Sequence, residues 1–266
     1  PNFSTAKSPQ QMLGAMAKTY YAEQAAVNPK ELFVASVMPC TAKKFEVSRC
    51  ETMGASGFQD VDVSITTREL ARMIKQAGID FNVLPEEKAD TLLGEYSGAG
   101  TIFGVTGGVM EAALRTAYYL ITKEDLEDVK FMDCRGLEGV KEAEIDIQGT
   151  KVRIAIAHQM GNVEQVLDKV RKAREKGEET PWHFIEVMAC RGGCIGGGGQ
   201  PHGATDEIRR QRTAGIYSDD EKSVQRCSHH NPMITKIYEE FLGEPMSHKA
   251  HELLHTGYKE RKVYKK

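Results

Sequence analysis

The most informative segment of the chain reads Glu186-Val187-Met188-Ala189-Cys190-Arg191-Gly192-Gly193-Cys194-Ile195-Gly196-Gly197-Gly198-Gly199-Gln200-Pro201. It sets two thiols, Cys190 and Cys194, four positions apart in a glycine-rich run without bulky side chains to shield them. Thiolate sulfur is a soft ligand that favours iron–sulfur clusters, Cu(I) or zinc. Glycine lets the backbone approach a bulky inorganic group and direct N–H groups toward it. The segment therefore predicts one wall of a metal-cluster site.

A second cysteine segment is expected to face the first. It reads Met38-Pro39-Cys40-Thr41-Ala42-Lys43-Lys44-Phe45-Glu46 and follows an apolar run, Leu32–Val37, of the kind found in buried strands. Cys190 follows a similar run, His183–Met188. Open α/β sheets bind ligands at the carboxyl ends of their strands. We therefore expect Cys40 and Cys190 at two strand exits, with three sulfurs directed at one inorganic group.

The first third of the chain alternates between helix and strand signals, as in an α/β fold. Ser8-Pro9-Gln10-Gln11 has the proline and the capping residues of a helix start. Alternating apolar residues over Val61–Ile65 predict a half-buried strand. A capping box formed by Thr66 and Glu69 then predicts a helix over Arg68–Gln76.

The rest of the chain continues this alternation. Apolar residues at helical spacing follow Gly107-Gly108, and Gln148-Gly149 is typical of the turn of a β-hairpin. Asn162 is expected to cap a helix that Gly177 ends. Gly203–Asp220 is polar, and we expect it to link the core to a helical C-terminal part.

Composition excludes several classes of protein. The chain has 266 residues and a formal net charge of −3 with interspersed signs, which gives no reason to expect nucleic-acid binding. No apolar stretch approaches the length that spans a membrane, and no signal peptide is visible. Six cysteines in a chain of this length do not indicate a secreted disulfide framework. We expect a reducing, cytoplasmic setting.

The Cys190/Cys194 pair has two simpler interpretations, a zinc knuckle and a redox dithiol. Structural zinc pairs usually have two residues between the cysteines and often a second matching pair. Here three residues separate the thiols, and the expected partner is the single Cys40. Redox dithiols of the C-x-x-C type have a different spacing as well. Spacing alone therefore favours a cluster and leaves zinc and redox chemistry open.

A competing motif lies near the C-terminus. His251-Glu252-Leu253-Leu254-His255 fits the H-E-x-x-H pattern of zinc proteases, in which two imidazoles bind metal and the glutamate activates water. The extended form of that motif fails because Tyr258 stands where glycine is required. A zinc metalloprotease is therefore a remote alternative.

The two cysteine segments resemble the second and third signature motifs of the catalytic domain of [FeFe]-hydrogenases. The resemblance covers essentially the whole chain. It also includes Ser4-Thr5-Ala6-Lys7-Ser8-Pro9-Gln10-Gln11, Ile65-Thr66-Thr67-Arg68-Glu69-Leu70, Gly94-Glu95-Tyr96-Ser97-Gly98-Ala99-Gly100, Phe103-Gly104-Val105-Thr106-Gly107-Gly108-Val109-Met110-Glu111-Ala112, Cys227-Ser228-His229-His230-Asn231-Pro232 and Ala250-His251-Glu252-Leu253-Leu254-His255. The first motif of the family, Thr-Ser-Cys-Cys-Pro, is not in the sequence. We expect it upstream of Pro1, so that the chain is a fragment.

The resemblance implies an architecture. It implies a two-lobed α/β catalytic domain with mainly parallel sheets flanked by helices, the cluster between the lobes, and a helical C-terminal belt. Residues 1–204 correspond to the catalytic core, incomplete at its N-terminus. Residues 205–266 correspond to a helical segment that is a separate small subunit in some members.

The resemblance also implies the ligands. Cys40, Cys190 and Cys194 are expected to bind a [4Fe-4S] cluster. The sulfur of Cys194 is expected to bridge to a diiron subcluster that carries carbon monoxide, cyanide and a bridging dithiolate amine. The fourth ligand and the last proton donor are expected in the missing motif, so the isolated chain is not expected to assemble a normal cluster or to be active. Ordinary thiols are expected at the remaining cysteines, Cys50, Cys134 and Cys227.

Further site residues follow from the same resemblance. Lys43 is expected to donate a hydrogen bond to a cyanide of the diiron unit, and Ser4 to act as a relay hydroxyl on the proton path. A solvated lysine and a turn serine are the ordinary alternatives. The residues expected to line the pocket are Met38, Met188, Pro9, Gln10 and Phe103. The glutamates expected around the site without an assigned role are Glu46, Glu95 and Glu186.

The implied reaction is reversible hydrogen oxidation and proton reduction, 2H⁺ + 2e⁻ ⇌ H₂. The implied partners are ferredoxin, NADH-linked flavoprotein and iron–sulfur subunits, and the maturation proteins that deliver the cofactor. Neither nucleic acid nor a membrane is among them. A cluster-binding relative without hydrogenase activity, used in iron–sulfur assembly or sensing, is the alternative.

Overall fold

The computed structural model of the chain describes residues 3–49, 51–126 and 128–260. These residues form two compact units. The first unit contains residues up to 94 together with those from 235 onward, and the second contains residues 95–234. Each unit has its own small sheet flanked by helices, which confirms the predicted α/β class. Two of the three strand pairings are parallel, as expected.

The first unit is built on two parallel strands. Helix α1 Pro9–Met16 continues as a π-helix Ala17–Tyr21 and as α2 Ala22–Gln24. The next elements are β1 Ala35–Met38, α3 Ala42–Glu46, β2 Val63–Thr66 and α4 Thr67–Gln76. Near the C-terminus follow the second part of α9 Pro232–Ile237, a π-helix Tyr238–Leu242 and α10 His248–Leu254. Both the proline-led start of α1 and the capping box of α4 are confirmed. In β1 and β2, Ala35 pairs with Val63 and Met38 with Thr66.

The predicted buried strand over Leu32–Val37 is wrong in two respects. Strand β1 begins only at Ala35, and residues 32–34 connect it to the 3₁₀ turn Pro29–Glu31 without joining the strand. Its side chains are also not buried, since Phe33 before it is 74% exposed and Val37 within it is 43% exposed. Strand β1 has one partner strand among the described residues, and its side chains stay partly exposed. The apolar composition of the run was therefore not enough to predict its burial.

A buried ion pair and a close backbone contact hold helix α1 and the residues before it against the loop that leads into β2. The ammonium of Lys7 lies 2.8 Å from the Asp60 carboxylate, and both side chains are fully buried. Gly14 allows the close approach, because a Cβ there would lie 2.3 Å from the carbonyl oxygen of Asp60.

The second unit contains a three-stranded sheet in the order β3-β4-β5. Its elements are α5 Gly98–Thr101, α6 Gly108–Thr122, β3 Val140–Ile147, β4 Thr150–His158, α7 Met160–Glu175, β5 Phe184–Met188, α8 Asp206–Lys222 and the first part of α9. Strands β3 and β4 form the predicted antiparallel hairpin, and β5 pairs parallel to β4. Gln148 and Gly149, in the turn of the hairpin, both have positive φ.

Helices cover both faces of this sheet because residues of β4 alternate between them. Ile154 and Ile156 pack with Met110 and Leu114 of α6, whereas Ala155 and Ala157 pack against α7. The buried residues of α7 in this cluster, Val163, Val166 and Val170, lie at helical spacing. Gly177 follows its end with φ 72°, also as expected.

Two local predictions fail in the second unit. Asn162 is not the cap of α7: the helix begins at Met160 after Gln159, and the Asn162 amide instead donates to the carbonyl oxygen of His158 at 2.8 Å. Gly203–Asp220 is not a linker, since α8 occupies Asp206–Lys222. Ile216 and Tyr217 of this helix pack against a core cluster and Asp220 pairs with Arg115, so a few residues attach a helix whose composition is mostly polar.

The C-terminal segment is helical, as predicted, through α8, α9 and α10. The predicted domain boundary between residues 204 and 205 stays a prediction. The compact units of the fold need not end where a catalytic core meets a segment that resembles a small subunit. Among the described residues, no helix combines the length and apolar character needed to cross a membrane.

Candidate metal centre

Both cysteine segments leave the carboxyl end of a strand that has a parallel partner. Strand β1 ends at Met38 and β5 ends at Met188, so Cys40 and Cys190 each follow two residues later. The predicted positions at strand exits are therefore confirmed. Cys40 lies in the first unit, and Cys190 and Cys194 lie in the second.

In the second unit, the glycine-rich segment folds as a chain of tight turns. Gly193 N–H donates to the Cys190 carbonyl oxygen at 3.1 Å, and Gly197 N–H donates to that of Cys194 at 2.9 Å. Gly193 has φ 89°, and a Cβ there would lie 2.7 Å from the Met188 sulfur and 2.8 Å from the Thr106 nitrogen. Only glycine fits this position, because backbone conformation and packing both exclude a side chain.

The first turns of α8 hold this loop in place. The Arg212 guanidinium donates to the carbonyl oxygen of Ile195 at 2.7 Å. The Asp206 carboxylate accepts from Arg191 in the loop and from Arg209 in its own helix, at 2.7 and 2.8 Å respectively. These two arginines hold the pKa of Asp206 far below its ordinary value. Sequence reasoning missed this clamp, although Thr205 followed by two acidic residues is a helix-start signal.

In the full-length, matured protein, Asp206→Ala should release the loop and accelerate the loss of cluster iron to a chelator by about 10-fold, the lower end of the range for residues that support metal ligands. Glu207→Ala is the matched control, since Glu207 pairs with Arg210 on the exposed side of the same turn. Because the pKa of Asp206 is lowered, the effect should be complete above the ordinary aspartate pKa of about 3.9 and fade only in stronger acid. Equal iron-release rates in the two variants would contradict the clamp.

Two buried ionisable side chains lie on the strands next to the glycine-rich segment, His158 at the end of β4 and Glu186 in β5. His158, fully buried at the end of β4, has its Nδ1 3.4 Å from the Gly192 nitrogen and its Nε2 3.3 Å from the Leu137 carbonyl oxygen. Burial lowers its pKa, which favours the neutral form of the imidazole. Glu186 accepts from the backbone nitrogens of Gly107 and Met110 at 2.6 and 2.8 Å. It thus caps α6, although burial outweighs these hydrogen bonds and raises its pKa.

In the first unit, Glu46 is the centre of a hydrogen-bond network beside the Cys40 segment. Its Oε2 accepts from the side chains of Lys43, Ser8 and Gln10 at 2.8, 2.7 and 2.8 Å. Gln10 in turn accepts from the Ser36 hydroxyl of β1 at 2.7 Å. Burial alone would raise the pKa of Glu46, but the three donors lower it below its ordinary value. The network brings the predicted residues Lys43 and Gln10 together.

The other predicted site residues occupy varied positions. Ser4 is exposed, and its hydroxyl accepts from the Ala6 N–H at 3.2 Å, as a turn serine does. Pro9 is exposed at the first position of α1. Met38 and Met188 are half-buried at the ends of their strands. Phe103 is half-buried against a core cluster that includes Ile195 of the glycine-rich segment.

The remaining cysteines differ in environment. Cys134 is fully buried, and burial is the main reason that its pKa rises to about 12. Cys227 is half-buried, and burial raises its pKa as well. Cys50 lies outside the described residues. Buried thiols of raised pKa are poor sources of thiolate, which supports the prediction of ordinary thiols at Cys134 and Cys227.

The H-E-x-x-H motif has its own local partners. His251 lies on α10, and His255 follows its end, with the two rings stacked 4.4 Å apart. Nδ1 of His255 is 2.7 Å from the Thr5 hydroxyl, and Ala6 forms a β-bridge with His255. His255 therefore contributes to the pairing of the two chain ends within the first unit.

Two family models match the chain. Residues 1–198 match "Iron only hydrogenase large subunit, C-terminal domain", and residues 206–261 match "Iron hydrogenase small subunit".

Three curated relatives show the kinds of protein that the chain resembles. The NADP-reducing hydrogenase subunit HndD of Solidesulfovibrio fructosivorans is 51% identical over 97% of this chain and 43% of its own length. Iron hydrogenase 1 of Clostridium pasteurianum is 47% identical over 97% of this chain and 45% of its own. The cytosolic iron-sulfur assembly component 3 of Rattus norvegicus is 30% identical over 97% of this chain and 54% of its own.

Solved structures give the same result for the fold. A cysteine-to-histidine variant of the apo [FeFe]-hydrogenase HydA1 of Chlamydomonas reinhardtii superposes with a TM-score of 0.79 and 40% identity over 96% of this chain and 70% of that one. A structure that describes stepwise H-cluster assembly in HydA(deltaEFG) has a TM-score of 0.79, 39% identity and the same coverage of both chains. The chain spans less than half the length of the two curated hydrogenases above. With strand exits, fold and sequence in agreement, the chain belongs to the iron-only, or [FeFe], hydrogenase family.

Proposed function

We propose that the protein containing this chain interconverts hydrogen with protons and electrons, 2H⁺ + 2e⁻ ⇌ H₂. The observation that carries the proposal is the position of Cys40 and Cys190, each two residues beyond a parallel strand, in a chain about half identical to two named hydrogenases. Conserved architecture alone does not establish an activity. The thiol chemistry of the site therefore needs its own argument.

The residues of the chain fit an iron–sulfur group. Three of the four thiolates that a [4Fe-4S] cluster requires would come from Cys40, Cys190 and Cys194, and the fourth from the rest of the protein. Cys190 is half-buried and Cys194 is exposed, so neither sulfur is enclosed in the core of its unit. When bound, the cubane and its attached diiron subcluster would supply the redox chemistry, and the organic amine of the subcluster the immediate base.

The protein's own side chains have positioning roles in this proposal. The clamp from α8 fixes the carbonyl of Ile195, next to Cys194. Glu46 holds the Lys43 ammonium at 2.8 Å, three residues beyond Cys40. An ammonium has three N–H donors, so Lys43 would be able to donate a second hydrogen bond to an anionic ligand such as cyanide. Met38, Met188, Pro9, Gln10 and Phe103 would line the pocket, and Ser4 would lie on the proton path.

A second candidate function is cluster binding without hydrogen chemistry. The observation that favours it is the 30% identity to the cytosolic iron-sulfur assembly component 3 over nearly the whole chain. The identity to HndD is 51%, which makes hydrogenase activity the better supported function. The name of that relative, an NADP-reducing hydrogenase subunit, supports electron exchange with a nicotinamide-linked partner. We extend the proposal to ferredoxin, NADH-linked flavoprotein and iron–sulfur subunits, maturation proteins, and a cytoplasmic location.

The test uses the full-length protein, matured anaerobically with its cofactor. Infrared bands of iron-bound carbonyl and cyanide, together with hydrogen evolution from a reduced electron carrier, are the expected result. A matured protein that contains the cubane by electron paramagnetic resonance but lacks these bands and this activity would instead support the assembly or sensing function.

Lys43→Met should lower hydrogen turnover by roughly 10–100-fold, the range for outer ligand partners, with little change in thermal stability. The Lys43 and Glu46 side chains are 26% and 17% exposed, and Glu46 keeps its Ser8 and Gln10 donors in the variant, so the fold should be retained. Lys44→Met is the matched control, because Lys44 makes an exposed pair with Glu69 at 2.6 Å. Equal turnover in both variants would assign Lys43 a solvated, non-functional role.

A further inference from the structure

A cluster of three potential metal ligands lies in the second unit, away from the cysteine loop in sequence. Asp125 follows the end of α6, and His229 and His230 belong to a 3₁₀ turn, Ser228–His230. Each offers one ligand atom, and the three atoms lie within 4.8 Å of one another. Among the described residues this is the one group of three or more His, Cys, Asp and Glu side chains with that property.

His229 is positioned like a metal ligand. Its Nδ1 lies 3.1 Å from the Thr116 hydroxyl, and its ring stacks on Tyr119 at 4.5 Å with 14° between the planes. These contacts fix the ring and point Nε2 toward Asp125, 3.7 Å away. The side chain is 90% buried by this packing, as its exposed fraction is 10%. Its Nε2 nevertheless has no hydrogen-bond partner among the described residues.

A simple ion pair accounts for only part of this arrangement. The Nε2 of His230 lies 2.5 Å from the Asp125 carboxylate, which satisfies that imidazole. The second imidazole remains, with a buried nitrogen directed at the same carboxylate oxygen and unsatisfied. A buried polar atom without a partner is costly and calls for an explanation. A cation shared by the three groups provides one.

We propose that Asp125, His229 and His230 form a binding site for a divalent transition metal ion of the zinc type, separate from the cysteine centre. Two imidazole nitrogens and one carboxylate oxygen are ligands that Zn²⁺ accepts in tetrahedral sites. The Thr116 hydroxyl is the kind of outer partner that orients a ligating imidazole. The three residues border a cavity of about 620 Å³ that also touches Cys227, which leaves room for water as a fourth ligand.

Small movements suffice for the ion to enter. Ligand atoms of a tetrahedral zinc ion lie roughly 3.3 Å apart when the bonds are about 2.0 Å long. To reach this spacing, the Asp125 carboxylate oxygen has to move away from the His230 Nε2, observed at 2.5 Å, by less than about 1 Å. It has to move toward the His229 Nε2, observed at 3.7 Å, by a smaller distance. The Asp125 side chain is 63% exposed, so it is free to make this adjustment.

The bound ion would connect two segments that are more than 100 residues apart. It would tie the residues after α6 to the turn before α9, which belongs to the segment that matches the small-subunit family model and contacts Thr116 and Tyr119 of α6. A ligand that binds the folded state stabilises it by mass action. The expected role is therefore to fasten this junction.

The experiment is a zinc titration of the cluster-loaded, full-length protein, in competition with a chromophoric chelator and followed by thermal unfolding. The cysteine ligands are occupied by iron in this preparation, so they do not compete. The wild type should bind one more Zn²⁺ than Asp125→Asn or His230→Ala, and zinc should raise the unfolding midpoint of the wild type only. Thr116→Val should weaken binding by roughly 10–100-fold. A Co²⁺-substituted site should lack the strong charge-transfer band of thiolate ligation.

The matched control is His248→Ala, which removes a 97% exposed histidine paired at 3.9 Å with a single carboxylate, Glu252. This variant should keep the affinity of the wild type. Unchanged zinc affinity in both Asp125→Asn and His230→Ala would overturn the proposal, as would an equal loss in His248→Ala. Asp125→Asn alters an exposed side chain and is expected to fold, so the titration remains decisive if His230→Ala does not.

Discussion

Replacing Cys194 with alanine should lower the hydrogen turnover of the full-length, matured protein by more than about 100-fold. This exceeds the effect expected from outer ligand partners, because the proposed role of this sulfur is to bind the cubane and to link it to the diiron subcluster. The side chain is exposed, so its removal should leave the fold intact. The measurements are hydrogen evolution, bound iron and the carbonyl and cyanide infrared bands.

Cys227→Ser is the control for this substitution. It removes a thiol that is half-buried in the same unit and that the proposal does not assign to the cluster. Turnover and iron content should stay near the wild-type values. If Cys194→Ala retained its infrared bands and most of its turnover, the assignment of Cys194 would be wrong.

Asp220→Ala should destabilise the second unit by about 3–5 kcal/mol, the usual cost of breaking a buried ion pair by removing one of its members. The Asp220 carboxylate accepts from two nitrogens of Arg115 at 2.8 and 2.9 Å, and both side chains are fully buried. Arg115 also donates to Glu111 of its own helix, so the network joins α6 to α8. Urea unfolding of the wild type and the variant measures the difference in the free energy of unfolding.

The pH dependence of this effect follows from the pKa of Asp220. Burial alone would raise that pKa, but Arg115 and Arg226 hold it below its ordinary value. The stabilisation is therefore present above the unfolded pKa of about 3.9 and is lost as the pH falls through the folded value. Glu207→Ala, on the exposed side of α8, should change stability by less than about 0.5 kcal/mol. A similar small change for Asp220→Ala would contradict the importance of the buried network.

Short sequence patterns predicted those features of the fold and of the site that depend on residues close together in the sequence. The capping box of Thr66 and Glu69, the Gln148-Gly149 turn and the two strand exits were all predicted from short patterns, and the structure confirms them. In these cases the favourable local geometry and the tertiary fold agree. The resemblance to a known family then supplied the roles of the cysteines, which spacing alone left open.

Contacts between distant residues were not predictable in this way. Helix α8 is polar along most of its length, and its polar contacts depend on Asp206, Asp220 and Arg212 meeting partners between 15 and 105 residues away. Glu46 was recognised as an acid near the site, but its three donors come from two segments of the chain. The apolar run before Cys40 predicted burial, which depends on what covers a strand and not on the strand's own composition.

The most direct test of the central claim is anomalous diffraction at the iron edge from crystals of the full-length, anaerobically matured protein. The account predicts one compact group of iron peaks with the sulfurs of Cys40, Cys190 and Cys194 all at bonding distance from it. Iron bound to Cys190 and Cys194 while Cys40 lies apart, or no iron at any of the three sulfurs, would contradict the account.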